Sequence, residues 1–551
     1  MNAQEVSKFV DDSLWPRRLL HVPTMTSYPW TPGDVYGGHT RPNYLAFSYT
    51  WGRWRLDEEE NPSVKALPVQ GITWRMPRVH PAHFTVEEFE RTIRALPALQ
   101  PYMFQVDFVW LDIACIDQTP GSKESAAEIG RQAKIFQNAF CTFAWLTSHA
   151  EPCDEEYVEA TYRLEKSISE IMSEEPYTSR SVEHDFANFL NFLTDDPWFT
   201  SLWTLQEAFL CPEVIFLARN GQVWLKGNPG EEIPRLKEIL MWIEFLTSIV
   251  QDSRRNFNLH SSPEIQGALE RSGLIGLLLG SPMVLLSVAY HRQATSELDR
   301  VYGIMQVFNL RLGISRPEAD TTKRFTLAEL EDELGQELFK QYPVMSQLHI
   351  FTQIPDKGKG WRVGQYSKMA SDLNWDVYDH LKSSRHRMTA SAQFSTTLVD
   401  ENLWGSFTGR TCLLHEFEAA WTAYDKLIDP MRVPFEIALD VPSPRRPVDD
   451  RQYHLETLQS LLREHDDAIV LLLGCCESTW ALGRRPASWK PCHAVGLILI
   501  PYADSEVRNG TYWQRRGVVS WKLGEPRYPA EMRMFLQGET DSWTATSGIF
   551  G

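Results

Sequence analysis

The sequence predicts an α/β protein: a small, mainly parallel sheet within residues 1–225, a mostly helical extension over 226–322, and a mixed α+β region over 323–551. Three observations lead there. Residues 108–116 (FVWLDIACI) and 140–146 (FCTFAWL) are short and almost continuously apolar, as strands covered on both faces are. Between them, after the loop QTPGSKE, Ala126, Ile129, Ala133 and Phe136 recur at helical spacing over 125–138, so the stretch reads as a right-handed βαβ unit. Finally, 551 residues exceed what one hydrophobic core usually supports, which implies two or three domains.

In chain order, the proline- and glycine-punctuated first forty residues read as an irregular lead-in. YLAFSYTWG at 44–52 reads as a strand stopped at Gly52, and 87–99 as a helix. After the βαβ unit, the acidic stretch 151–185 reads as a solvated, helix-forming excursion. Residues 195–211 (DDPWFTSLWTLQEAFLC) read as one helix, with Asp195 or Asp196 as cap, Pro197 in its first turn and Cys211–Pro212 at its end. A strand at 214–218 closes the region. The uncharged run 272–290 approaches membrane-spanning length, but Gly276, Gly280, Ser281 and Pro282 divide it into two buried helices. A connection at 314–322 and a helix at 326–341 follow. Beyond residue 343 the clearest strands are 467–473, 494–501 and 516–521, with a turn at Arg508–Asn509–Gly510.

Composition narrows the function. A net charge of −18 with no basic block argues against a nucleic-acid or anionic-membrane partner. The eight cysteines lack C-x-x-C spacing and suit reduced thiols in a cytoplasmic protein. No secretory signal is read at the N-terminus. Twenty tryptophans favour well-packed walls or aromatic-lined clefts. The phosphate-binding loop, the dinucleotide fingerprint, the H-E-x-x-H zinc motif and the G-x-S-x-G elbow are all missing. His80 and His83 have no third ligand at helical spacing, so no metal site is expected. Cys475–Cys476 and Cys115 read as buried fillers rather than nucleophiles.

The acids Asp112, Asp117 and Glu207 remain. Glu207 shares a helix side with Trp203 one turn earlier, so it is either a partly buried structural acid or the floor of a pocket. Asp112, inside an apolar run, either ties the strand to a neighbour or lines a cavity. Asp117 reads as a turn-former.

YLAFSYTWG, FVWLDIACIDQ, IGRQAKIFQNAF leading to AWL, and DPWFTSLWTLQEAFL, in this order, resemble the heterokaryon incompatibility (HET) domain of fungal proteins. SELDRVYGIM at Ser296 resembles a segment that commonly follows that domain. The resemblance implies non-self recognition between fungal cells and programmed cell death. A more distant similarity, of FSYTWG, LDIACIDQTPG and the Trp203-to-Glu207 spacing, is to TIR domains that hydrolyse NAD. It implies a TIR-like fold, Glu207 as catalytic carboxylate, and NAD as substrate rather than any bound cofactor. In the NAD reading Tyr49 and Trp51, followed by Gly52, stand where a base could stack, Arg53 or Arg55 where a diphosphate could sit, Trp203 beside the glutamate, and Asp112 as an acid that supports or positions the loop; the alternative is that Trp51–Gly52 only shapes a tight turn. The competing expectation is a non-enzymatic module that signals by self-association or by binding a protein partner.

Overall fold

The computed structural model describes residues 14–57, 59–99, 105–152, 187–188, 190–225, 233–241, 243, 263–320, 322–369, 386–423, 435–441, 450–479, 489–502, 512–523 and 528–551. It falls into two compact units, Met1–Leu278 with Val288–Leu327 and Leu279–Ser287 with Ala328–Gly551.

The first unit is built on a six-stranded sheet. Its strands are β1 (Arg18–His21), β2 (Thr26–Pro29), β3 (Tyr44–Ser48), β4 (Phe108–Trp110), β5 (Cys141–Trp145) and β6 (Ile215–Leu217), in the order β6-β5-β3-β4-β1-β2. The four from β6 to β4 are parallel, whereas β1 and β2 run antiparallel at one side. All five residues of β3 are buried, as a central parallel strand requires. Phe47 stacks with Trp145 at 6.2 Å between ring centroids, and Phe89 with Trp145 at 5.6 Å.

The helices of this unit are α1 (Val86–Ala95), α2 (Asp112–Cys115), α3 (Lys123–Ile129), α4 (Gln132–Asn138), α5 (Leu202–Leu210), α6 (Pro263–Arg271), α7 (Leu274–Leu279), α8 (Pro282–Ala289) and α9 (Asp299–Tyr302), of which α7 and α8 run into the second unit. Thr85 and Glu88 form a reciprocal capping box at the start of α1. The run 272–290 is two helices, as the glycines and proline imply. No described helix is long and apolar enough to cross a membrane.

Three expectations are corrected. The lead-in is not irregular: β1 and β2 lie within it, because Leu19 and Leu20 gain full burial by pairing with β4, a partner some ninety residues away. The apolar run at 108 stops being a strand after Trp110, and Asp112 opens the single turn α2, since an apolar run alone does not distinguish strand from buried helix. The segment 195–211 is not one helix. Asp196 caps a 3₁₀ turn, Pro197–Phe199, and α5 starts only at Leu202. Nearly all of the acidic excursion, residues 153–186, and the Arg508–Gly510 turn lie outside the described residues.

The second unit is rich in strand. A short pair, β7 (His349–Phe351) with β8 (Ser367–Met369), precedes a large sheet of β9 (His386–Ala390), β10 (Gln393–Val399), β11 (Asn402–Leu413), β12 (Phe435–Leu439), β13 (Ile469–Thr479), β14 (Trp489–Pro501), β15 (Tyr512–Lys522) and β16 (Thr544–Phe550). The pairings β13-β14-β15-β16-β11 return to β13 and close a ring, with β9, β10 and β12 added to its members. Only β15–β16 is parallel. Helices α10 (Leu327–Gln341), α11 (Leu414–Ala423), α12 (Asp450–Glu464) and α13 (Ala530–Leu536) accompany it, and Phe417, Trp421, Trp521 and Trp543 share its core.

Candidate functional site

The end of β3 distributes its side chains by the period-two alternation of an extended chain. Ser48 and Thr50 turn one way, Tyr49 and Trp51 the other. The Ser48 hydroxyl donates to Glu207 Oε2 at 2.5 Å and accepts from the Trp198 indole at 2.7 Å. Thr50 meets His83, whose Nε2 lies 2.7 Å from the Thr50 carbonyl oxygen. On the other side the Tyr49 hydroxyl and the Trp51 indole donate to the two Asp112 oxygens, at 2.7 and 2.6 Å. The Ile113 amide adds a third donor at 2.7 Å. Strand β3 therefore hands one acid to each side: Glu207 from α5 and Asp112 from the first turn of α2.

Their electrostatics differ in degree. Burial pushes the Glu207 carboxyl up to about 8; the Ser48 hydrogen bond opposes this and the nearby Asp112 charge adds to it. Burial also raises Asp112, against the pull of Trp51 and Tyr49. Glu207 Oε1 has no hydrogen-bond partner among the described residues. At neutral pH Glu207 is mainly a neutral acid that the removal of its burial, or an adjacent positive charge, would ionise.

Residues 44–207 match the family model for the heterokaryon incompatibility protein (HET). The chain carries a HET domain. Such a domain points to a role in heterokaryon incompatibility. Nothing among the curated proteins or the solved structures matches the chain.

The HET domain thus runs from the first residue of β3 to Glu207 itself, and its other expected residues are located as follows. Trp203, half-buried, lies beside the Asp299 carboxyl and offsets part of the rise that burial imposes on it. Gly52 opens a 3₁₀ turn, Gly52–Trp54, with a negative φ, and a Cβ there would lie 3.6 Å from Thr295 Oγ1, an ordinary contact. Arg53 reaches the Pro197 carbonyl at 3.2 Å and lies over the Trp54 ring, while Arg55 is exposed in a two-stranded ribbon with Val79. Asp117 is a turn-former: it accepts from the Thr119 amide and the Ser122 hydroxyl. Cys115 is buried and burial pushes its thiol up to about 12, which suits a filler. Among the described residues no group of three metal-ligating side chains is present.

Sequence reasoning missed Ser48 and Trp198 as neighbours of Glu207, and His83 as the partner of Thr50. Ser48 was open to inference, because it precedes Tyr49 in the same motif and must face the opposite way. Trp198 was not, since a continuous helix would have set it at a different angle. His83 is stacked on Trp54 at 3.6 Å, and burial takes its imidazole down to about 4, so it is neutral.

Proposed function

We propose that the HET domain cleaves the nicotinamide–ribose bond of NAD at Glu207 and that loss of NAD drives programmed cell death during non-self recognition. The observation that supports this best is Glu207 itself, a carboxyl held neutral by burial, with one hydroxyl donor and no cation among the described residues. The TIR likeness of the Trp203-to-Glu207 segment points the same way.

The chemistry fits such a group. In NAD the nicotinamide nitrogen carries a positive charge. When the C1′–N bond breaks, its electron pair goes to that nitrogen and neutral nicotinamide leaves without an acid. The ribosyl centre takes up oxocarbenium character, water adds to C1′, and the water's proton is released. A nicotinamide cation seated beside Glu207 favours the ionised form, so binding expels the Glu207 proton and leaves a carboxylate facing the developing positive charge. Tyr49 and Trp51 hold Asp112; the Tyr49 ring is buried against Phe47 and Phe89, so in this reading it is the half-buried Trp51 that has ring surface to offer a base.

A second reading, a module that signals by self-association or by binding a protein partner, draws on Asp112. Its oxygens already take three internal donors, as a structural acid's do. Incubating the purified full chain with NAD and measuring nicotinamide separates the two. Wild type is expected to release nicotinamide, with proton release on NAD binding at pH 7, and Glu207→Gln to release at least about a hundredfold less. No release from concentrated wild type supports the module. Equal release from both proteins removes Glu207 from the reaction.

A further inference from the structure

Glu207 is the last residue of the HET match, yet the groups that hold its surroundings come from farther along the chain. Residues 292–306 lie against α5 within the first unit. Gln293 donates its amide to the Thr200 carbonyl at 2.7 Å and accepts from the Leu202 amide at 3.0 Å, which attaches this segment to the residues entering α5. Asp299 lies beside the Trp203 indole, and the Gln306 amide donates to Gln206 Oε1 at 3.1 Å.

Arg292 is the unusual member. Its guanidinium is fully buried, and the partners it reaches are neutral oxygens rather than a carboxylate. One nitrogen donates to the carbonyls of Ser201 at 2.8 Å and Trp198 at 3.2 Å and to the Thr204 hydroxyl at 3.3 Å. The other donates to the Ser272 carbonyl just past the end of α6, where the helix dipole favours a cation. Burial takes its pKa down to about 9, which leaves it charged at neutral pH. A buried cation costs stability unless its donors are satisfied; here Nη1 spends its donors on the turn that carries Trp198, while Nε is buried with no partner among the described residues. Trp198 is also the residue whose indole sets the Ser48 hydroxyl toward Glu207.

We propose that residues 292–306 complete the Glu207 site and that Arg292 is its positioning residue, holding the Trp198 turn so that the Trp198–Ser48–Glu207 chain stays closed to water. The segment lies outside the HET match, so in this protein the HET domain alone is an incomplete site. The proposal rests on Glu207 as the working carboxylate, and its test does not depend on NAD turnover.

In the full-length chain, the protonated-carboxyl infrared band that disappears in Glu207→Gln gives the Glu207 titration midpoint. Wild type is expected near pH 8. Arg292→Met releases the turn, admits water and brings the midpoint below about 7, because burial is the largest cause of its rise. Arg292→Lys keeps the charge but not the two-armed geometry, and moves the midpoint the same way by less. If NAD is hydrolysed, kcat falls in the same order with KM for NAD little changed.

A purely structural arginine would lower the unfolding temperature and leave the midpoint where it was. An unchanged midpoint in folded Arg292→Met overturns the proposal. Should that variant not fold, Arg292→Lys decides by the same criterion. Absence of NAD hydrolysis in wild type removes the NAD reading while the titration still tests the positioning.

Discussion

Each unit buries more than one carboxylate, and Glu207 of the first and Asp440 of the second are provided for differently. In the second unit Asp440 accepts from Arg515 at 3.3 Å and from the Phe351 amide at 2.9 Å, while Arg515 also reaches His349 Nε2 at 3.2 Å. His349 in turn has its Nδ1 on the Ser346 carbonyl at 2.8 Å, so a neutral ring with its proton on Nδ1 satisfies both contacts. Acid, cation and imidazole join β7, β12 and β15. Glu207 in the first unit has a hydroxyl where Asp440 has a guanidinium. A buried acid with its own cation is a fastener; a buried acid without one is held in a costly state that binding of a cation would relieve.

The largest expected effect breaks the fastener. Asp440→Ala leaves Arg515 buried without its carboxylate and costs about 3–5 kcal/mol in denaturant unfolding of the full chain. Glu207→Gln keeps an acceptor for Ser48 and frees the folded chain from holding a proton that the unfolded chain gives up above about pH 4.5, so stability at pH 7 should stay the same or rise. If the two substitutions cost the same, Glu207 is a fastener as well and the contrast between the units collapses.

The two sites also respond to pH in opposite senses, which sharpens the comparison. The Glu207 carboxyl is raised in the native state, from an ordinary 4.5 to about 8, so the folded chain holds its proton longer than the unfolded chain does. Its contribution is complete below about pH 4.5 and is lost as pH rises through about 8, with a slope of at most about 1.4 kcal/mol per pH unit. The His349 imidazole is held well below its ordinary value by burial and then by Arg515, which itself pairs with Asp440. Its contribution is complete above about pH 6.5 and is lost as pH falls, when the unfolded chain takes up a proton the folded one refuses. Subtracting the stability–pH curve of Glu207→Gln from wild type should give a difference that declines from pH 5 to 8. The same subtraction with His349→Gln should give one that declines from pH 6.5 downward.

What the sequence made legible follows from the range of the interactions. The βαβ unit could be read because burial on both faces leaves a local signature, a short apolar run. Strand β1 could not, because its stability comes from pairing Leu20 with Val109, and nothing near residue 20 announces that partner. Asp112 was readable as an acid in need of donors, but the donors, Tyr49 and Trp51, lie more than sixty residues earlier. Arg292 is harder still, since it meets Trp198 and Ser201 over about ninety residues and looks like any surface arginine in sequence. The ring closure of the second unit, through three pairs between β11 and β13, has no local trace either.

Glycine supplies the finest test of the contrast between what the fold needs and what a site needs. Gly517 in β15 has φ +152°, and a Cβ there would fall 2.3 Å from the Ala438 carbonyl oxygen, so the backbone of β12 leaves room for no side chain. Gly52 has neither restriction: its φ is negative and the nearest atom to an added Cβ is 3.6 Å away. Gly52→Ala should therefore shift unfolding by less than about 1 kcal/mol, and in the stabilising direction if the unfolded chain loses freedom. In the NAD-hydrolysis reading, the turn after β3 lies where substrate approaches closely, and the added methyl should raise KM for NAD while the Glu207 midpoint stays fixed. A variant with unchanged stability and unchanged KM would show that Gly52 serves neither the fold nor the substrate, and would move the approach route to the Trp51 side of the turn.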